Sequence, residues 1–198
     1  MRTKPLHTPS RRQAFTLIEL LVTVAILGIL SGISVVSFTR NWRDERVKAA
    51  ARETAAWLDE ARRIAIQKAT PCRIQIDRDL KRISLEPPNP ANPTEFCSSS
   101  LTAPLDLQTR IPNSSELLLC SADLGSNDPA TASLSCTAPQ AGSSTLVFTP
   151  RGTAPTGLLL KFHRPQAGAD RCVAVMAPLG QVRSGKASSV GCDFTTAF

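Results

Sequence analysis

From Leu20 to Thr39 the chain runs twenty residues without a charge, and Glu19 stands at the edge of that run inside the apolar block FTLIELLV. Twenty residues at ~1.5 Å each span a hydrocarbon layer of ~30 Å, so the stretch is expected to be a transmembrane helix. A carboxylate carried to mid-membrane costs roughly 2.5–3.5 kcal/mol on insertion scales. Glu19 is therefore either held near the interface or kept for a partner. Arg2, Lys4, Arg11 and Arg12 precede the run. By the positive-inside rule they hold the N-terminus in the cytoplasm and leave the rest of the chain exported.

A secretory signal peptide would have an apolar core of only ~7–15 residues and a small-x-small cleavage site. Here the run passes into Thr39-Arg40-Asn41-Trp42-Arg43 with no such site. A plain single-span anchor explains the length but not Glu19 or the string Phe15-Thr16-Leu17-Ile18-Glu19. A basic leader, a small residue, then this string and an apolar helix resembles the N-terminus of type IV pilins and type II secretion pseudopilins. The resemblance covers about 25 residues. It implies that a prepilin peptidase cuts between Ala14 and Phe15 and methylates the new amine of Phe15. It also implies that Glu19 pairs with the terminal amine of a neighbouring subunit during filament assembly. The family has Gly before the cut and this chain has Ala14, so processing is expected to be slower.

Residues 1–14 form a cytoplasmic leader and residues 15–39 the membrane half of a helix. The amphipathic half is expected over 40–70, where Val47, Ala51, Thr54, Leu58, Ala61 and Ala65 make one apolar stripe, widened by Ala50, Trp57 and Ile64. Arg43, Arg46, Lys48, Arg52, Glu53, Asp59, Glu60, Arg62 and Arg63 occupy the other face. No proline interrupts Phe15–Thr70, and Pro71 ends the pattern. The spacing predicts one helix of about 54 residues, ~80 Å long. Gly28 and Gly32 form a small-xxx-small pair that permits close helix approach in lipid, or a flexible point.

After Pro71 the period becomes two. Cys72, Ile74 and Ile76 alternate with Arg73, Gln75 and Asp77, Asp79 and Lys81 mark a turn, and Ile83 and Leu85 resume, which reads as a hairpin. Residues 86–145 are rich in Pro, Asn, Ser and Thr and read as loop with one or two short strands, notably Glu116 to Cys120. Strand-like pieces return at Thr145–Phe148, Leu158–Phe162, Cys172–Met176 and Gly180–Arg183, with a Pro150-Arg151-Gly152 turn between the first two. The expected fold is α+β: a long N-terminal helix packed on an antiparallel β-sheet in a periplasmic β-rich domain over 71–198.

The leader holds four of the 23 Lys and Arg and none of the 16 Asp and Glu, so the rest of the chain carries 19 basic against 16 acidic groups. That balance is a weak argument for an anionic partner, although residues 151–198 carry six basic and two acidic side chains. The C-terminal pattern VFTPRGT…LLLKF…RCVAVMAPLGQVRSG further resembles the GspH/FimT-type minor pseudopilins and minor pilins. Members there carry a near-terminal Gly-Arg-x-Arg segment, associated in FimT-like proteins with DNA capture. Here the segment is Gly180-Gln181-Val182-Arg183, with Gln in place of the first Arg. Arg164, Arg171, Arg183 and Lys186 are the residues that would form a DNA-binding patch. Few aromatics interleave to stack bases, and phosphate contact alone is nonspecific and salt-labile.

Cys72, Cys97, Cys120, Cys136, Cys172 and Cys192 all follow the membrane segment, and six cysteines allow 15 pairings. Disulfides closing loops across a Ser/Pro-rich region suit an oxidising compartment. No C-x-x-C occurs, and His7 and His163 are lone residues, so no metal site is expected. The chain has no G-x-S-x-G, P-loop or H-E-x-x-H, and Asp77 and Asp79 read as turn residues. Neither catalysis nor a cofactor is expected. Two function classes remain: a minor filament subunit that initiates or caps a pseudopilus or pilus, or a binding module for DNA or surfaces on the same scaffold. Expected partners are other pilin-like subunits, the prepilin peptidase and the inner membrane, with DNA as the alternative.

Overall fold

The computed structural model describes residues 15–86, 96–97, 102–112, 114–125, 128–188 and 191–195, with the backbone alone for 32–40. Residues 1–14, expected to form a leader, lie outside the described residues, Ala14 included. One helix, α1 (Leu17–Lys68), carries the whole N-terminal pattern over 52 residues. The chain separates into two compact units, residues 1–39 and 40–198.

In the first unit, every described side chain from Phe15 to Ser31 is exposed. Phe15, Leu17 and Ile18 are 79%, 76% and 71% accessible. Among the described residues no helix is long and apolar enough to cross a membrane. The span expected over 15–39 draws its second part from residues 32–39, whose side chains lie outside the described residues.

In the second unit the apolar stripe is buried as its spacing requires. Val47, Ala51, Thr54, Leu58, Ala61 and Ala65 are each fully buried, with Ala50 and Ile64 beside them and Trp57 partly covered. None of the nine charged residues assigned to the other face is buried. The helix ends in a Schellman motif: Ala69 takes φ +51°, its N–H bonds to Ile66 O, and the Thr70 N–H bonds to Ala65 O, both at 3.2 Å. Pro71 then forbids continuation.

Two antiparallel sheets pack with this helix. The first has β1 (Cys72–Asp77), β2 (Arg82–Leu85), β3 (Leu105–Asp106) and β5 (Ser143–Phe148) in the order β3-β2-β1-β5. The second has β4 (Leu118–Gly125), β6 (Gly157–His163), β7 (Arg171–Met176), β8 (Gln181–Ala187) and β9 (Cys192–Asp193) in sequence order. The hairpin expected after Pro71 forms, and its register sets Ile76 opposite Ile83 and Ile74 opposite Leu85. A short helix, α2 (Leu107–Arg110), follows β3 and is capped by Asp106, whose carboxylate accepts from the Gln108 and Thr109 N–H groups.

Two sequence expectations need adjustment. The strand expected near Glu116–Cys120 is the eight-residue β4, which runs on to Gly125. Thr145–Phe148 does not join the other C-terminal strands. It lies against β1, with Cys72 opposite Phe148 and Asp77 opposite Ser143. Strand pairing is nonlocal, and the turn at 149–153 carries the chain from one sheet to the other.

The main core combines the helix stripe with Ile74, Ile76, Ile83 and Phe148 of the first sheet and Leu158, Leu160, Phe162, Val173 and Val175 of the second. A second, smaller cluster covers the opposite face of the second sheet. There Leu124, Leu159, Cys172, Ala174 and Cys192 meet Ala132, Leu134 and Phe194. This double burial explains why β6 reads Leu158-Leu159-Leu160 rather than alternating. Three disulfides brace the unit, Cys72–Cys97, Cys120–Cys136 and Cys172–Cys192, and among the described residues no cysteine is free.

Candidate functional site

The N-terminal segment is built by local capping. The Thr16 hydroxyl accepts the Glu19 N–H at 3.3 Å, and Thr16 O accepts the Leu20 N–H at 3.2 Å. Thr16 is thus the N-cap of α1, and Thr16-Leu17-Ile18-Glu19 has the Thr-x-x-Glu spacing of a capping box. Sequence reasoning read Thr16 only as part of a resemblance; the spacing to Glu19 was the local signal available. Glu19 is exposed in the first turn, where the helix dipole favours a carboxylate. Phe15, the expected methylated terminus, is exposed immediately before the cap. The arrangement sets Phe15 and the Glu19 carboxylate at one helix start, among exposed apolar side chains.

The four basic residues singled out near the C-terminus are not brought together. Arg164 is 5% exposed and donates from Nε and Nη2 to Glu116 Oε2 at 3.2 and 3.0 Å. Arg171 is 2% exposed and donates from Nη2 to both oxygens of Asp44, while its Nε and Nη1 have no partner among the described residues. The register sets Arg171 opposite Lys186 and Ala174 opposite Arg183. Cross-strand partners share a face and alternate residues change face. Arg183 therefore projects on the face of Ala174, and Lys186 on the face of Arg171. Both are exposed, on opposite sides of the sheet.

Sequence reasoning did not find the carboxylates that engage these bases. Asp44 also meets Lys48 at 3.1 Å, and Glu45 meets Lys48 at 2.6 Å. Hydrogen bonds donated to Glu45 and then to Asp44 hold the Lys48 ammonium above the ordinary lysine range. Asp170 lies between two bases, with Lys161 Nζ at 3.2 Å and His163 Nδ1 at 2.7 Å. His163 thus has a carboxylate neighbour that its isolation in sequence did not suggest. Burial lowers the Lys81 ammonium, which donates to Ser115 O at 3.1 Å.

A second junction lies near the C-terminal end of α1. Arg62 donates from Nε to Gly152 O at 2.7 Å and from Nη2 to Leu179 O at 3.1 Å, clasping the β5–β6 and β7–β8 turns. Gly152 and Gly180 both have positive φ, +74° and +64°, and a Cβ built at Gly180 would lie 2.3 Å from Gly152 O. The turns can stack this closely only because residue 180 has no side chain.

An open groove of about 410 Å³ on the first sheet is lined by Gln75, Asp77, Arg82, Ser84 and neighbouring residues, without convergent charge. Among the described residues no group of three His, Cys, Asp or Glu could hold a metal ion.

Comparison with known proteins adds two family matches. Residues 9–35 match the prokaryotic N-terminal methylation motif, and residues 50–178 match the type II transport protein GspH family. Among solved structures, the type IV minor pilin FimU of Pseudomonas aeruginosa is 16% identical with a TM-score of 0.46, covering 75% of this chain and 93% of that one. The minor pseudopilin EpsH from the type 2 secretion system of Vibrio cholerae is 17% identical with a TM-score of 0.47, covering 71% and 97%. No curated protein matches the sequence at a significant level.

Proposed function

Because this chain belongs to the type II transport protein GspH family, we propose that it is a minor pilin-like subunit that helps initiate or cap a filament of a type II secretion system or type IV pilus. The observation that carries this reading is the joining of two matched segments by one helix. The methylation motif covers 9–35, the GspH match begins at residue 50, and α1 runs through both from Leu17 to Lys68. The exposed apolar side chains of Phe15–Leu30 support it, since a surface of that kind requires lipid or other subunits to cover it.

In this role a prepilin peptidase cuts between Ala14 and Phe15 and methylates Phe15. The segment following the cut anchors the chain in the inner membrane with residues 40–198 in the periplasm. Glu19 accepts the amine of a neighbouring subunit. The charge then serves assembly, which offsets its cost in an apolar environment. DNA capture is the weaker reading, because Arg164 and Arg171 are engaged by Glu116 and Asp44.

Co-expression with a prepilin peptidase tests the processing step by mass spectrometry of the product. The expected product begins at methylated Phe15, and Ala14→Gly speeds its appearance. Glu19→Ala is expected to leave membrane insertion intact and to reduce recovery of the chain in sheared filaments or in a cross-linked priming complex. Normal assembly of Glu19→Ala would sink the amine-pairing role.

A further inference from the structure

Trp42 and Arg46 stand one turn apart on α1, three and seven residues beyond the end of the uncharged run at Thr39. Trp42 is 52% exposed, and the Arg46 guanidinium lies 5.8 Å from the centroid of its ring. The pair points away from the buried stripe of Val47 and Ala51. An exposed indole is costly to leave in water and is at home where one side is apolar and the other wet.

The charges around it are sorted. Asp44 is engaged by Arg171 and Lys48, and Glu45 by Lys48. Arg43 donates to the neutral Gln166 amide, and Arg46 lies over the indole. Among the described residues neither arginine has a carboxylate partner, so two guanidinium charges remain without neutralisation beside an exposed indole. Bases on the exported side of a membrane segment run against the usual loop bias. Here they call for an anion that no described residue supplies.

We infer that Trp42, Arg43 and Arg46 form an interfacial anchor that binds anionic lipid headgroups of the outer leaflet of the inner membrane. Trp42 sits at the headgroup level and the guanidinium groups hold phosphates. The chemistry matches on each count. Tryptophan concentrates at membrane interfaces, and bases near an anionic surface attract its lipids over about a Debye length. A guanidinium beside an indole can still direct N–H donors to phosphate oxygens. An anchor here fixes how far the helix can be drawn out of the bilayer before a subunit leaves the membrane. The inference rests on the reading that residues 15–39 anchor the chain.

The chain has two tryptophans, and Trp57 is partly buried with its indole N–H on Ala103 O at 2.8 Å. A Trp57→Phe chain therefore carries Trp42 as its single reporter. Reconstituted full-length into phosphatidylcholine vesicles with a minority of phosphatidylglycerol, it is tested with one or the other lipid brominated. The expected result is blue-shifted Trp42 emission, quenched more by brominated phosphatidylglycerol than by brominated phosphatidylcholine at equal mole fraction. Arg46→Gln should reduce the excess, by up to roughly fivefold for one lost headgroup contact, and half-molar salt should reduce it too. If Trp57→Phe does not fold, the difference between the unsubstituted chain and Trp42→Phe gives the same signal. A chain that resists alkaline carbonate extraction yet is quenched equally by both lipids, or by neither, overturns the anchor alone. Extraction by carbonate overturns the membrane reading and the anchor with it.

Discussion

The Asp44 carboxylate accepts the buried Arg171 guanidinium at 3.2 and 3.3 Å, so α1 is fastened to the second sheet by a charge pair whose basic member is 2% exposed. Asp44 itself keeps a 22% accessible side chain. Removing one partner of such a pair strands the other charge, whereas removing both can be nearly neutral. Asp44→Ala is expected to lower the stability of the 40–198 unit by about 3 kcal/mol, the low end of the range for a broken buried pair because Asp44 is partly wet. Asp44→Ala combined with Arg171→Met should recover most of that loss. Urea unfolding followed by near-ultraviolet circular dichroism reads both, and an unchanged midpoint for Asp44→Ala would show that water already satisfies Arg171.

Gly180 tests the stacked turns. A methyl group there meets Gly152 O at 2.3 Å and must adopt φ +64°. That carbonyl also receives Arg62 at 2.7 Å. Gly180→Ala should therefore cost about 2–3 kcal/mol through strain and a displaced hydrogen bond. Leu179→Ala, at a 64% exposed neighbour, should stay within about 0.5 kcal/mol. Equal effects of the two would refute the steric account.

The Cys120–Cys136 bridge closes a 16-residue separation and ties β4 to the segment that lays Ala132 and Leu134 on the outer face of the second sheet. Replacing both cysteines with serine should cost about 3 kcal/mol for a loop of that size. Amide exchange should rise across residues 128–140 while the α1 stripe stays protected. Uniform deprotection would mean that the outer cluster is not separable from the main core. Peptide mapping under non-reducing conditions should find Cys72 with Cys97, Cys120 with Cys136 and Cys172 with Cys192; any other pairing contradicts the fold.

DNA binding separates the two function classes. With Arg164 and Arg171 engaged and Arg183 and Lys186 on opposite sheet faces, duplex binding should be nonspecific and in the range of about 10⁻⁴–10⁻⁶ M or weaker. Arg183→Ala should change it uniformly across sequences and flatten the salt slope by roughly one unit at most. Tight binding abolished by Arg183→Ala, measured by fluorescence anisotropy over a salt series, would move the chain from filament subunit to DNA receptor.

Much of the molecule was written locally in the chain. The period of Val47 to Ala65 specified which helix face is buried, because burial at 3.6-residue spacing needs no knowledge of what covers it. The alternation from Cys72 to Leu85 specified a hairpin for the same reason, with period two, and left its register to the fold. Thr16-x-x-Glu19 is a capping signal confined to one turn, and the cap forms there.

Other features depended on residues far apart meeting in space, and no local pattern could encode them. The tertiary structure alone decided that β5 joins β1 rather than β6, and which of the 15 cysteine pairings forms. It also decided that Asp44 lies against Arg171, 127 positions away, and Glu116 against Arg164. A string of basic residues counts charge but not neutralisation. Only the packed chain shows which charges are already paired within the molecule and which, like Arg43 and Arg46, have no carboxylate partner among the described residues.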